Sequence, residues 1–151
     1  MNEINHAEKA VRYFLSGYNC SQSVFAAFCD VTNLSEEAAL MLASPLGGGM
    51  GRMREVCGAC SAMFMVLGAA KGYSQPDDEA KKQLYEKVQQ LAAEFKEKNG
   101  TIICRELLDN PPSNPTPSER TPDYYKDRPC AKFVHDAAEI IEKELKIKTE
   151  L

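Results

Sequence analysis

The stretch "PDDEAKKQLYEKVQQLAAEFKEKNG", residues 76–100, decides the fold class. Leu84, Val88, Leu91 and Phe95 recur at the three-to-four-residue spacing that places side chains on one face of a helix. Acids open the segment and lysines crowd its end, an arrangement that complements the helix dipole, and Gly100 supplies a stop. The spacing predicts a long helix with one buried stripe, and the same period recurs along nearly the whole chain.

Towards the N-terminus, Ile4, Ala7, Val11, Phe14 and Leu15 form a similar face, in a helix that stops near Gly17. Asn19 or Ser21 caps the next helix, which carries Cys20, Val24, Ala27 and Val31 on one stripe, with Phe25, Phe28 and Cys29 beside it. Cys20 is expected to face inward. "LSEEAALMLASPLGGG", residues 34–49, reads as a short helix capped by Ser35, with Glu36 and Glu37 in its first turn and an end at Pro45. "EVCGACSAMFMVLGAAKG", residues 55–72, is rich in small residues that let helices approach closely. It is the expected central helix, with Cys57, Ser61, Phe64 and Gly68 on one face.

Beyond the long helix, "TIICRELL" reads as a brief extended piece leading into a helical turn at Cys104. "DNPPSNPTPSERTPDYYKDRP", residues 109–129, carries six prolines and is not expected to form regular helix. A loop that long inside a compact domain is more often a functional cover or a mobile segment than a connector. Arg128 and Pro129 begin the final helix, whose inner stripe is Cys130, Val134, Ala137, Ile141 and Leu145. The expected architecture is all-α: a single-domain helical bundle, residues 1–151, with a glycine-rich loop and a long proline-rich loop.

A chain of 151 residues can bury a core without staples. Its residues are 44% hydrophobic and 26% charged, its formal net charge is -4, and its basic residues are scattered, which argues against a nucleic-acid partner. "MNEINHAEKAVRYFLSGY" has charged groups in its first turns and no apolar h-region, so it does not read as a signal peptide. The longest nearly apolar run, "ACSAMFMVLGAA", falls short of the roughly 20 residues a membrane span requires. A cytoplasmic chain without membrane insertion is expected. Its six cysteines are then mostly reduced, which favours metal binding or redox chemistry over a disulfide scaffold.

Cys20, Cys57, Cys104 and Cys130 each fall at or near the start of a predicted helical piece. Helix N-termini present unpaired N–H groups and partial positive charge, which lower a thiol's pKa and favour the thiolate. Helix starts that converge would hold a thiolate cluster. Before Cys57 stands "GGGMGRMRE", where glycines would let the backbone approach a bound group and Arg52 and Arg54 would offset thiolate charge. Glycines also make tight turns and arginines also sit in solvent, so the loop alone leaves both readings open. It lacks the Gly-Lys-Ser/Thr ending and the preceding strand of a P-loop.

Cys57 and Cys60 form a C-x-x-C without the βαβ context of a thioredoxin-like motif. Cys60 reads equally as a packed residue or as a resolving thiol one turn from Cys57, and Cys29 reads as core packing. His6 is expected at the surface and His135 packed or at a helix boundary. Neither completes a zinc pattern.

"NCSQSV", "LGGGMGR" followed by "VCGACSAMFMVLG", then "CREL" and "PCAKFVHDAAEII", in that order, resemble the C_GCAxxG_C_C family, named after its cysteine pattern and described as redox-active. The resemblance implies that the four shared cysteines are Cys20, Cys57, Cys104 and Cys130. The glycine of the family's CGAxxG stretch stands here as Ala62, and Cys60 falls on a variable position. The extra thiol leaves open which of Cys57 and Cys60 is ligand or nucleophile. The cysteine arrangement is also similar to that of the split-Soret cytochromes c, where it is associated with an iron–sulfur site. This chain has no C-x-x-C-H, so no c-type haem is expected.

These readings converge on an electron-transfer role, with Cys20, Cys57, Cys104 and Cys130 as metal ligands for an iron–sulfur cluster or other thiophilic metal. Gly48, Gly49, Gly51 and Arg52 are the candidate cofactor-binding residues. A metal-free rival makes Cys57 a low-pKa nucleophile and Cys60 the thiol that resolves it. A structural or interaction module, with zinc or packed cysteines, is the third reading. The electron donor or acceptor is not named by the sequence, and a homodimer is open to it.

Overall fold

The structure, a computed structural model, describes residues 5–127 and 129–150, so the expectations for Ile4 and Arg128 lie outside the described residues. The expected all-α class is observed. In chain order the helices are α1 (His6–Leu15), α2 (Cys20–Ala26), α3 (Cys29–Thr32), α4 (Glu36–Ala43), the single turn α5 (Gly47–Met50), α6 (Gly58–Lys71), α7 (Asp78–Asn99), α8 (Cys104–Leu107), α9 (Pro122–Asp127) and α10 (Cys130–Glu150). Among the described residues no strand forms, and one antiparallel bridge joins Val56 to Ile103. No helix among them is long and apolar enough to cross a membrane.

Local chemistry sets the helix starts. Asn19 accepts from the Gln22 N–H while the Gln22 side chain accepts from the Asn19 N–H, a reciprocal cap that begins α2 at Cys20. Ser35 caps α4 through the Ala38 N–H, and Asp77 caps α7 through the N–H groups of Glu79 and Ala80. Gly100 ends α7 with a φ of 94°.

α6 is central: α2 and α10 pack on it, α1 lies across α2 and α10, and α7 closes against α6 and α10. Phe14, Phe28, Met63, Leu67, Leu91, Phe95 and Ile141 are fully buried between them. The face of α6 that turns inward is not the expected one. Ala59, Cys60, Ala62, Met63, Val66 and Leu67 are buried, Ser61 and Phe64 are only partly so, and Gly68 is exposed. α6 is covered by α2 on one side and α10 on another, which selects a wider stripe than a Cys57-centred period gives. Leu15, expected on the buried face of α1, is 55% exposed, while Ala10 takes the inner position.

Two further expectations change. His6 is not a plain surface residue: its ring stacks on Phe28 with centroids 4.2 Å apart. It also bonds Glu142 Oε1 at 2.6 Å and Asp30 Oδ2 at 2.9 Å, tying α1 to α10 and α3. The proline-rich segment, not expected to hold regular helix, forms α9. Pro122 stands at the first helical position, where proline's missing N–H costs nothing, and the Thr121 hydroxyl accepts the Tyr124 N–H.

The α6 start packs so tightly on α2 that Gly58 has no room for a side chain. A Cβ there would lie 2.7 Å from Cys20 Sγ and 2.8 Å from the Leu46 carbonyl oxygen. Gly58→Ala is therefore expected to destabilise the protein by about 1–3 kcal/mol. Gly68→Ala, in the same helix with nothing within 4 Å of the new Cβ, is expected to stabilise it by up to about 1 kcal/mol. Denaturant midpoints of the two variants check both signs.

Candidate functional site

Each of the four cysteines stands at an element boundary. Cys20, Cys104 and Cys130 are the first residues of α2, α8 and α10, and Cys57 caps α6. Two backbone hydrogen bonds bring two of these starts together: the Cys57 N–H donates to Ile102 C=O, and the Cys104 N–H donates to Glu55 C=O, both at 2.7 Å. They flank the Val56–Ile103 bridge, which realises the brief extended piece expected before Cys104.

The glycine loop folds over this junction as a left-handed turn. Gly48, Gly49, Met50, Gly51 and Arg52 all have φ between 60° and 71°. L-residues pay roughly 1–2 kcal/mol in that region, so glycine at three of the five positions is what makes the turn accessible. Gly49 has a second reason: a Cβ there would meet the Cys104 Cβ at 2.7 Å. The turn is fixed by Arg54 N–H to Gly48 C=O at 3.1 Å and Glu55 N–H to Gly49 C=O at 2.9 Å.

Cys20, Cys57, Cys104 and Cys130 line one cavity of about 60 Å³, together with Gly48, Arg54, Leu107, Leu108, Tyr124 and Phe133 among others. All six cysteines of the chain are thiols. Cys60 is fully buried in the core behind Cys57 and does not line the cavity, and Cys29 packs partly buried at the start of α3. Of the glycine-loop residues, Gly48 lines the cavity, Gly49 supports it from behind, and Gly51 and Arg52 line a second, outer cavity. His135 sits half-buried on α10, bonded to Asp136, and lines neither cavity.

Arg54 reaches from the loop into this site and is only 4% exposed. Its Nη1 donates to Cys104 Sγ at 3.6 Å and its Nε to the Pro112 carbonyl at 2.9 Å. Among the described residues no carboxylate pairs with it. The proline-rich segment is thus held over the cavity from one side by Arg54. From the other side its own Arg120 donates to the carbonyls of Phe14 and Tyr18 at 3.1 and 3.0 Å and lies over the Phe14 and Tyr124 rings. Sequence reasoning missed Arg120; its signal was an arginine beside "TPDYY", cation next to aromatics.

Helix starts do not leave Cys20 and Cys57 acidic, contrary to expectation. Cys20 is pushed well above the ordinary thiol value, first by its hydrogen bond with Cys57 and then by burial, against the Gly48 and Ser21 N–H groups, which favour its thiolate. The Cys20 hydrogen bond pulls Cys57 down, but its bond with Cys60 and its burial push harder, and the net direction is up. Neighbouring thiols in a closed site compete for one negative charge, and that outweighs the backbone donors. Cys57 is not a low-pKa nucleophile in this state.

The C_GCAxxG_C_C family model, described as "Putative redox-active protein", matches residues 18–144. The chain belongs to this family. No curated protein and no solved structure matches it. All four cysteines that line the cavity lie inside the matched range. Among the described residues no three His, Cys, Asp or Glu side chains are gathered closely enough to hold a single metal ion.

The raised thiols make stability depend on pH with a definite sign. As pH climbs past the ordinary thiol value of 9.0, the unfolded chain releases these protons before the folded one does. The stabilisation is complete below that value and is lost on the way up to the folded values. Denaturant midpoints of metal-free protein should fall as pH rises past about 9, and more steeply in wild type than in a Cys20→Ser/Cys57→Ser double variant.

Proposed function

We propose that Cys20, Cys57, Cys104 and Cys130 together bind an iron–sulfur cluster and that the protein transfers electrons. The observation that supports this reading is one cavity lined by four thiols from four elements, with a buried cation, Arg54, on its wall and no carboxylate lining it among the described residues. Among the described residues sulfur is the only strong metal donor offered there, which suits thiophilic metals. A cluster spreads its cysteine ligands over several metal atoms, so it accommodates thiols set wider than one ion demands. When bound, it supplies one-electron redox chemistry.

The chain's own groups then have distinct tasks. Each of the four thiols gives up a proton on ligation, and Arg54 offsets part of the resulting negative charge through its contact with Cys104 Sγ. The Gly48 N–H, which already points at Cys20 Sγ, stabilises the thiolate form further. Leu107, Leu108 and Phe133 line the apolar side of the cavity, and the proline-rich segment limits solvent access to it.

A metal-free reading draws on the hydrogen bonds that link Cys57 to both Cys20 and Cys60. Thiol–disulfide exchange there would use Cys57 as nucleophile and Cys60 as resolving thiol, slowed by the upward shift of Cys57.

Metal and acid-labile sulfide assays with a visible spectrum, on protein purified without oxygen, separate the readings. Iron and sulfide are expected in wild type and should fall by at least half in Cys104→Ser. Zinc alone would assign a structural site. No metal under those conditions sinks the cluster and leaves thiol–disulfide exchange.

A further inference from the structure

The outer cavity, about 260 Å³, shares Asn19, Gly48, Arg54, Arg120 and Tyr124 with the thiol cavity, so the two adjoin across a common wall. Three arginines, Arg52, Arg54 and Arg120, line it, together with the hydroxyl-bearing Ser44, Ser118 and Tyr124 and the amide of Asn19. Among the described residues no aspartate or glutamate lines either cavity, although the chain as a whole carries a net charge of -4. Positive charge is therefore concentrated at this one place.

Two of those charges, Arg54 and Arg120, are engaged with neutral groups. Arg120 donates to two backbone carbonyls and the Tyr125 hydroxyl, and Arg54 to one carbonyl and one thiol. Arg54 keeps Nη2, and Arg120 keeps Nε, outside these bonds. Two guanidinium groups held by neutral acceptors each keep a nitrogen that can donate a charge-assisted hydrogen bond to an oxyanion. The left-handed turn contributes Gly48 and Gly51 to the lining, with Gly47 just before it, and beside Gly51 a ligand would meet bare backbone. The volume is below that of a drug-sized pocket, which fits a small ligand or the head of a larger one.

We propose that this vestibule binds a small multivalent oxyanion, of the phosphate or sulfate type, immediately outside the thiol cavity. This is not a P-loop: no strand feeds the turn, no lysine follows it, and the charge comes from arginines of two separate segments. The site is independent of whether the thiols carry metal, because none of the groups that would contact the anion is a cysteine.

Isothermal titration of the full chain with inorganic phosphate, sulfate and glycerol phosphate, in low-chloride buffer, tests this. Saturable binding at one site per chain is expected for at least one of the three. Arg120→Gln should weaken it at least tenfold but also loosens the proline-rich segment. Arg52→Gln is therefore the second variant: Arg52 lines the vestibule but not the thiol cavity, and Arg54 still holds Pro112 in its absence. It too should weaken binding at least tenfold, whereas Lys82→Gln, on the exposed side of α7, should leave it unchanged. Preference for glycerol phosphate over inorganic phosphate would assign an organic phosphate as the source, and the reverse a free anion. No saturable binding of any of the three, or binding that Arg52→Gln and Lys82→Gln affect equally, would overturn the proposal.

Discussion

Two backbone hydrogen bonds carry much of this structure. Cys57 N–H to Ile102 C=O and Cys104 N–H to Glu55 C=O join a loop that follows the glycine turn to one that follows the longest capped helix. Each also fixes a cysteine at a helix start, Cys57 at the cap of α6 and Cys104 as the first residue of α8, so thiol placement and chain crossing are one event. A left-handed turn must then fit beneath Cys104, which is why Gly49 both takes a positive φ and leaves no space for a Cβ. On the opposite side Gly58 lets Cys20 approach the start of α6. The glycines and cysteines are thus mutually constrained: the small residues stand where the sulfurs need room.

Much of the fold was legible because its signals are local. The cap at Ser35, the choice of Asn19 or Ser21 before α2, the acids that open α7, the stop at Gly100 and the 3.6-residue periods of α7 and α10 are written in neighbouring residues. The boundary positions of Cys20, Cys57, Cys104 and Cys130 followed from the same signals. What lay beyond reach depends on contacts distant in sequence. The buried stripe of α6 is chosen by α2 and α10 together, not by its own period, and Arg120 reaches α1 from the proline-rich segment across most of the chain. The helical turn at Pro122 escaped notice because proline density argues against helix everywhere except at a first position.

The thiol pKa directions show the same limit in electrostatic form. A helix start taken alone favours thiolate, and the Gly48 and Ser21 N–H groups do act that way on Cys20. Once Cys57 is hydrogen-bonded to both Cys20 and Cys60 in a closed interior, Cys20 and Cys57 are pushed up, because ionising one of the two raises the cost of ionising the other. Convergence, the very feature that suggested function, reverses the local effect on charge. The helix starts therefore poise these sulfurs without ionising them.

Arg54 gives that conclusion its direction. A guanidinium at 4% exposure, with a thiol and a carbonyl as its partners, is a costly burial if the site stays neutral. Negative charge gathered on the neighbouring sulfurs offsets that cost, and so does an anion in the vestibule on whose wall Arg54 also lies. The left-handed turn that carries Arg52 and leads into Arg54 costs backbone energy for the same placement. Strain and a cation with no described carboxylate partner are spent at one wall, between two cavities that no carboxylate lines among the described residues. A neutral, purely structural packing of cysteines would require neither, which is the physical reason to read the wall as built for negatively charged occupants.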